Sequence, residues 1–205
     1  MFGDAFPKEA NLKNGQTVTI RLLQRGDLDK LLAFFQSLPE QDRLFLQHNV
    51  TDPKLIRKWT ERLDFDRTIP LVAEVDGRIV ADGTLHLSPH GWAQHVGQIR
   101  LVIASAYRQL GLGTLIAREL VLIAEERDLE KLYANVIEDD AVSVKLLQRL
   151  GFKTSAVLKD LVKDQTGKKR NMAIMMNDVS EVGRVLEDWI QDSLIPEFRG
   201  SDGFE

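Results

Sequence analysis

A glycine-containing turn between two regular elements is the segment of this sequence best suited to chemistry. It has the sequence Arg-Gln-Leu-Gly-Leu-Gly-Thr over residues 108–114, after an apolar run and before an amphipathic helical pattern. Glycines let a backbone turn tightly and let a ligand approach the main chain closely. The free N–H groups of a helix start, with the positive end of the helix dipole behind them, suit a pyrophosphate. The turn therefore predicts either a phosphate site or only a change of chain direction.

Two familiar nucleotide-binding motifs do not fit this turn. Arg108 could add a cationic contact and Thr114 a hydroxyl, but the Gly-Lys-Ser/Thr spacing of a P-loop is absent. The third glycine of a dinucleotide-binding fingerprint would fall at Ile116, where close packing of helix on strand leaves no room for a side chain. A nucleotide-binding enzyme of Rossmann type stays open as an alternative, which a mainly parallel sheet would favour.

The elements that position this turn follow from apolar spacing and turn residues. Strands are predicted at 17–24, 70–75, 78–87, 96–103, 131–137, 154–164 and 168–176. Helices are predicted after the N-caps Asp27 and Asp52, after Gly113, over 139–152, and over 180–194. An Asp76-Gly77 pair between apolar runs predicts a hairpin. The order predicts an α/β (α+β) fold, with a mixed, mostly antiparallel central sheet flanked by helices and one parallel pair made by the crossover at 96–137.

The chain divides into three parts on these patterns. Residues 1–16 are interpreted as a flexible leader, 17–178 as the folded domain, and 179–205 as a C-terminal helix and tail whose last residues fray. The helix at 180–194 is amphipathic, and it either covers the core or joins two subunits. A monomer and a homodimer therefore both fit the sequence.

Composition excludes several classes of function. The 205 residues contain no cysteine, which excludes disulfides, a thiol nucleophile and thiolate metal sites. With 27 basic and 31 acidic residues the net charge is -4, which argues against nonspecific binding to nucleic acid. No apolar run approaches the roughly 18 residues of a membrane span. The acidic start of the chain is unlike a signal peptide, so we expect a cytoplasmic protein that binds no membrane.

The turn and a later helix together resemble the GNAT family of acyl-CoA N-acyltransferases. An Arg-x-x-Gly-x-Gly pattern follows a strand, and a later helix ends in Leu-Gly-Phe at 150–152. The residues that carry the likeness are Ile103, Tyr107, Arg108, Gly111, Gly113, Asp140, Ser143, Leu147, Gly151 and Phe152. The resemblance covers roughly residues 17–178 and agrees with the predicted order of elements.

The resemblance implies transfer of an acetyl group from acetyl-CoA to a primary amine by direct attack in a ternary complex. It implies that a slot opens between the strand at 101–103 and the strand at 134–135, where the pantetheine pairs like an added strand. A backbone N–H in the slot would polarise the thioester carbonyl. The cofactor-binding residues it implies are Leu101, Val102, Ile103, Arg108, Gln109, Leu110, Gly111, Leu112, Gly113, Thr114, Asn135, Asp140 and Ser143. No metal is implied.

The sequence departs from the family pattern at two positions. Asp140 stands where the family commonly has asparagine, and it can still cap the helix. Leu147 stands where many members have a tyrosine that protonates the departing thiolate. A side-chain general acid is therefore in doubt, and a regulatory protein that binds acyl-CoA without turnover is the alternative to an enzyme.

An amine acceptor requires a base, because an alkyl ammonium with a pKa of about 10.4 is charged near neutrality. The leading candidates are Glu138, Asp139 and Asp82, with Glu74, His86 and His95 as further candidates. His86 and His95 are expected to face each other across the loop at 88–94. The acceptor, a small amine or a protein amine, is expected to bind near 36–52, 88–94 and 164–168.

Overall fold

A single eight-stranded sheet runs through the structure, a computed structural model that describes residues 5–44, 46–164 and 166–191. The strands are β1 Lys8–Asn11, β2 Thr17–Leu22, β3 Thr68–Val75, β4 Arg78–Leu87, β5 Val96–Ile103, β6 Lys131–Ile137, β7 Lys153–Lys163 and β8 Lys169–Asp178. The helices are α1 Leu28–Ser37, α2 Glu40–Arg43, α3 Pro53–Glu61, α4 Leu112–Glu126, α5 Ala141–Arg149 and α6 Val179–Gln191. Short 3₁₀ turns lie at Arg25–Asp27 and Ser105–Tyr107.

The sheet has the strand order β1-β2-β3-β4-β5-β6-β8-β7, and every neighbouring pair is antiparallel except β5 with β6. The predicted mixed, mostly antiparallel sheet is confirmed, and a doubly wound parallel sheet is not what the chain forms. The hairpin at Asp76-Gly77 is confirmed as well. Both residues have positive φ, 49° and 76°, as a tight hairpin turn requires.

The interpretation of residues 1–16 as a flexible leader is wrong for the part that forms β1. Lys8–Asn11 pairs with β2, and Ala10 is fully buried. The Lys8 ammonium also forms an ion pair with the buried Glu119 of α4, at 2.7 Å. The local sequence does not predict this four-residue strand, in which burial only alternates. The strand is stabilised by its pairing with β2 and its contact with α4, and the residues 8–11 alone do not encode either. Residues 1–4 lie outside the described residues.

Helices cover both faces of the sheet. One core joins the sheet to α4 and α6 through Leu115, Leu120 and Leu186. A second joins α1 and α3 to Val72 and Ile79 on the other face. Because helices cover both faces of the sheet, a cleft has room at the strand ends near the middle of the sheet.

The two predicted N-caps have different outcomes. The Asp52 carboxylate accepts a hydrogen bond from the Lys54 N–H at 2.9 Å, as predicted for a cap followed by Pro53. Asp27 does not cap α1. Its buried carboxylate instead accepts hydrogen bonds from Arg21 and from the Gln24 N–H. The charge of Arg21 is a stronger attraction for this carboxylate than the helix start.

The C-terminal helix α6 packs on α4 and buries Val179, Val182 and Leu186. This confirms that the helix covers the core, whereas the expected alternatives of monomer and homodimer stay a prediction. The expected frayed end falls within 192–205, outside the described residues. Across the described part of the chain, no helix has the length and apolar character needed to cross a membrane.

Candidate functional site

A gap opens between the two central strands of the sheet. β5 and β6 pair only over Val96–Gln98 and 131–133, which is the first part of each strand. Beyond Gln98, β5 stays paired with β4 up to Ile103, and β6 stays paired with β8 up to Ile137. The facing edges of the two strands therefore carry backbone groups that do not pair with each other. Such an edge can accept an extended ligand as an added strand.

Burial along β5 shows that this gap is open. Ile99 is 2% exposed, whereas Leu101, Val102 and Ile103 are all only half-buried although they lie in the middle of an eight-stranded sheet. Across the gap, the Asn135 Oδ1 atom of β6 is buried and has no hydrogen-bond partner. Buried polar atoms nearly always have a partner. The gap thus has apolar walls on β5 and an unpaired acceptor on β6, as a ligand slot would.

The turn that leads from β5 to α4 presents a row of backbone N–H groups. Gln109 and Gly111 lie in the left-handed region, at φ 62° and 89°. Thr114 and Leu115 donate the first internal bonds of α4, both to the Gly111 carbonyl oxygen. Within the described residues, the N–H groups of 109–113 donate no hydrogen bond. They stand at the positive end of a 15-residue helix, an arrangement that binds anions.

The two glycines of the turn do different work. Position 111 has a left-handed backbone conformation, φ 89°, which glycine adopts readily and other residues rarely do. Gly113 is helical, and a Cβ there would lie 2.7 Å from the Cδ1 atom of Ile103. Gly113 therefore allows the start of α4 to lie directly against β5 beside the gap.

Arg108 holds the turn in place through contacts within the protein. Its Nε donates to the Ile103 carbonyl at 3.1 Å, and its Nη2 pairs with Asp42 of α2 at 2.5 Å. The Ser105 hydroxyl also donates to Asp42, at 3.3 Å. The contact that the sequence predicts between Arg108 and a phosphate would have to compete with Asp42.

The second helix implied by the resemblance begins and ends as expected. Asp140 caps α5 by accepting from the Ser143 N–H at 3.2 Å, and the Ser143 hydroxyl donates to the same carboxylate. At its end, Gly151 has φ 84°, and the N–H of Phe152 bonds the Leu147 carbonyl in a glycine-terminated cap. The Leu147 side chain is buried in the core, so this position supplies no acid.

Three of the candidate bases are already engaged. Glu138 accepts a hydrogen bond from Asn171 at 2.8 Å, and Asp139 is paired with Arg170. Burial alone would raise the pKa of Glu74, but hydrogen bonds from Lys30 and Arg21 outweigh it and lower that pKa. A carboxylate stabilised by a cation in this way is a weak base.

The environment of Asp82 differs from that of the three engaged carboxylates. Its half-buried carboxyl has no hydrogen bond or ion pair among the described residues. Burial raises the pKa of Asp82 to about 6, against the opposing charge of Arg100. A carboxyl with a pKa of about 6 ionises just below neutral pH, which is the range useful for a general base. Asp82 lies opposite Val102, beside the gap.

Asp82 belongs to a polar face of the sheet that the sequence did not mark. In the register of β4 and β5, Thr84 lies opposite Arg100, and His86 opposite Gln98. The Tyr133 hydroxyl of β6 donates to the Gln98 Oε1 atom at 3.3 Å. We call these six residues the polar face: Asp82, Thr84, His86, Gln98, Arg100 and Tyr133. A single polar residue in an apolar run, as in Ile99-Arg100-Leu101, was the available signal for it.

Two histidines adjoin the polar face. Burial and the charge of Arg100 lower the pKa of His86 to about 4, with a further contribution from His48. Burial, then Arg100, also lowers the pKa of His48, whose ring packs edge-on against Trp59 at 5.8 Å. Both imidazoles are therefore neutral at physiological pH and can act as hydrogen-bonding groups. The sequence had given His48 no role.

The loop at 88–94 does not contribute to this site, contrary to expectation. Leu87 pairs with Gly97 at the start of β5, so the loop lies at the opposite end of the strand from the gap. Trp92 in this loop is 97% exposed, and a cavity of about 480 Å³ beside Ser88 and His90 lies at this far end. His86 lies opposite Gln98 and not His95. The described residues contain no metal-binding group of three or more His, Cys, Asp or Glu.

Comparison with known proteins agrees with this geometry. The family model described as the acetyltransferase (GNAT) family matches residues 32–152. A ribosomal-protein-alanine N-acetyltransferase from Brucella melitensis is 25% identical, with 78% of this chain and 98% of that chain covered and a TM-score of 0.67.

Two further solved structures share the fold. RimJ from Mycobacterium smegmatis, in complex with CoA-disulfide, has a TM-score of 0.71 at 18% identity, with 92% and 94% of the two chains covered. An acetyltransferase of the GNAT family from Streptococcus pneumoniae has a TM-score of 0.67 at 21% identity, with 78% and 99% covered.

Proposed function

The chain belongs to the GNAT family of acetyltransferases, and we propose that it transfers the acetyl group of acetyl-CoA to a primary amine. The observation that carries the proposal is the gap between β5 and β6, which leads directly to the unpaired N–H groups of residues 109–113. An extended slot beside an anion site suits a ligand that has a thioester arm and a pyrophosphate.

The residues around the gap fit acetyl-CoA. The N–H groups of 109–113 would hold the pyrophosphate, and the free edge of β5 at 101–103 would pair with the pantetheine. The buried Asn135 Oδ1 atom needs a hydrogen-bond donor, which an amide of the arm can provide. Asp140 and Ser143 support the site by starting α5 beside it, and Leu146 of that helix lies near Gly113.

Acetyl-CoA, when bound, supplies an acetyl group as a thioester that an uncharged amine can attack. The chain must therefore remove a proton from the incoming ammonium, and we assign this step to the Asp82 carboxylate, directly or through a water. With a pKa of about 6, Asp82 is mostly ionised at neutral pH and is more basic than an ordinary aspartate.

No side chain is assigned as the acid. Leu147 is buried and has no proton to give, so the departing thiolate takes its proton from solvent. A thiolate is a fairly good leaving group, because thiols have pKa values near 8.5. Positioning of the amine and polarisation of the carbonyl by backbone N–H groups would supply most of the acceleration.

A regulatory protein that binds acyl-CoA without turnover is the second candidate, and buried Leu147 favours it. The raised pKa and the free carboxylate of Asp82 favour the enzyme, since a binding module has no use for a base. Release of coenzyme A in the presence of amines distinguishes the two candidates.

The cofactor site is tested by adding a negative charge to the turn. We expect Gly111→Glu to weaken acetyl-CoA binding at least about tenfold, because a carboxylate beside the free N–H groups repels the pyrophosphate. The matched control is Gly91→Glu, since Gly91 has φ 88° and Gly111 has φ 89°. Both variants carry the same backbone strain, and Gly91 lies in the loop far from the gap.

Calorimetry with acetyl-CoA, coenzyme A and NADH gives the readout. The proposal predicts binding of both coenzyme A forms and not of NADH, and a loss of affinity in Gly111→Glu alone. Equal affinity in the two folded variants, or binding of NADH in place of acetyl-CoA, would contradict it.

A further inference from the structure

A guanidinium without an internal partner lies at the centre of the polar face. Arg100 is half-buried in the central strand β5, and within the described residues it makes no hydrogen bond and no ion pair. A guanidinium has five N–H donors, and a buried charge without a partner is unfavourable. Burial lowers the pKa of Arg100, and the charge of Asp82 opposes this effect.

The groups around Arg100 do not neutralise it. Thr84 lies opposite it on β4, and His48 and His86 are near enough for its charge to lower their pKa values. All three are neutral. Among the described residues, Asp82 is the one carboxylate whose charge acts on Arg100, and the two side chains form no ion pair. The polar face therefore offers a cation with unused hydrogen-bond donors, beside the neutral groups Thr84 and His86 and near the carboxylate of Asp82.

We propose that Arg100 binds a carboxylate of the acceptor, so that the substrates are small amino acids and not neutral amines or amines on proteins. The proposal rests on the proposed acetyltransferase function, which it deepens by naming the acceptor class. A guanidinium fork matches a carboxylate in two parallel hydrogen bonds. The neutral groups Thr84 and His86 can complete the binding of the carboxylate without repelling it.

The spacing of Asp82 and Arg100 limits the size of the acceptor. Asp82 lies opposite Val102, two residues after Arg100, so the two charged residues are diagonal neighbours across β4 and β5. The Cα atoms of diagonal neighbours of this kind lie about 7–8 Å apart. A molecule held between them needs its ammonium group near Asp82 and its carboxylate near Arg100. An amine with a carboxylate a few bonds away can satisfy both.

The test compares each amino acid with its carboxamide, which keeps the amine and the side chain but loses the negative charge. Release of coenzyme A from acetyl-CoA is measured across the common amino acids, with a lysine-containing peptide as the protein-like acceptor. For the best amino acid, kcat/KM should exceed that of its carboxamide and that of the peptide at least about 30-fold, as expected for loss of one buried charge pair.

Two variants test whether the preference for an amino acid over its carboxamide depends on Arg100. In Arg100→Met, which has similar length and no charge, the ratio of amino acid to carboxamide should fall to near one, mainly through KM. In Arg100→Lys, which keeps a point charge without the fork, part of the preference should remain. Acetyl-CoA affinity, measured by calorimetry, should not change in either variant.

A binding measurement separates the failure of this inference from the failure of the enzyme reaction. Amino acids and their carboxamides are titrated into the protein without acetyl-CoA and followed by NMR. Binding of the acid alone, lost in Arg100→Met, supports the carboxylate site even if no coenzyme A is released. Acetylation of carboxamides or peptide as efficiently as amino acids by the wild-type protein overturns the inference and leaves the acetyltransferase proposal standing.

Discussion

Two charged clusters on the same sheet differ in how completely their charges are paired. In the first, Arg21 of β2 bonds the carboxylates of both Asp27 and Glu74 at 2.7 Å, and Lys30 adds a second cation to Glu74. In the second, Asp82 and Arg100 lie near each other without an ion pair, and neither has another partner in the described part of the chain.

The pKa values of the carboxyls move in opposite directions for this reason. Burial alone would raise the pKa of Asp27, but its hydrogen bonds from Arg21 and Gln24 lower it. For Asp82 burial dominates and the charge of Arg100, which forms no ion pair with it, opposes burial only in part, so the pKa rises. The charges of the first cluster are paired and stabilise the fold, whereas those of the second form no ion pair and cost stability, an arrangement that is common at functional sites.

The largest expected effect is on catalysis. We expect Asp82→Asn to lower kcat on the order of 10²- to 10⁴-fold, because the amide keeps the shape of the side chain but accepts no proton. Acetyl-CoA affinity should stay the same. The control is Glu138→Gln, whose carboxylate is bonded to Asn171, and its kcat should change less than about threefold. A normal kcat in Asp82→Asn would contradict the assignment of the base.

A smaller effect is expected on stability, when the two arginines are compared. Arg21→Met should lower the free energy of unfolding by about 3 kcal/mol, since it removes the ion-pair partner of the buried Asp27 and leaves the half-buried Glu74 with Lys30 alone. Arg100→Met should change it by less than about 1 kcal/mol, because no internal bond is lost and a poorly solvated charge is removed. Urea denaturation measures both. Equal losses would show that Arg100 is as well bonded as Arg21.

The smallest expected effect is a difference in pH dependence. The pKa of Asp82 is about 6 in the folded chain against an ordinary value of 3.8, so the folded state holds the proton more tightly. Stability from this group therefore falls as pH rises from about 4 to about 6, by up to about 2 kcal/mol. The advantage of Asp82→Asn over wild type in unfolding free energy should grow by that amount across this range.

Asp27→Asn should behave in the opposite way. Its lowered pKa contributes stability above the unfolded value, which is lost as pH falls through the folded value. The variant should therefore be less stable than wild type at pH 7, and the deficit should shrink below about pH 4. The same trend in both variants would remove the distinction between the two clusters.

Much of the site followed from sequence because its signals are local. The tight turn at Gly111, the N-cap Asp140 and the glycine-terminated cap at Gly151 each depend on a few consecutive residues, and the structure contains all three. The polar face was missed because Asp82 and Arg100 belong to different strands. Their proximity depends on the register of β4 with β5, which neither strand encodes alone.

The sequence by itself determined the order of most elements, the tight turns and the glycine turn at the start of α4, since backbone preferences and apolar spacing act over short distances. Only the tertiary structure decided that residues 8–11 form a strand, that β5 and β6 separate after Gln98, and that Arg100 has no hydrogen bond or ion pair within the described part of the chain. Pairing between distant strands and the burial of charge depend on the whole sheet and the helices packed on it.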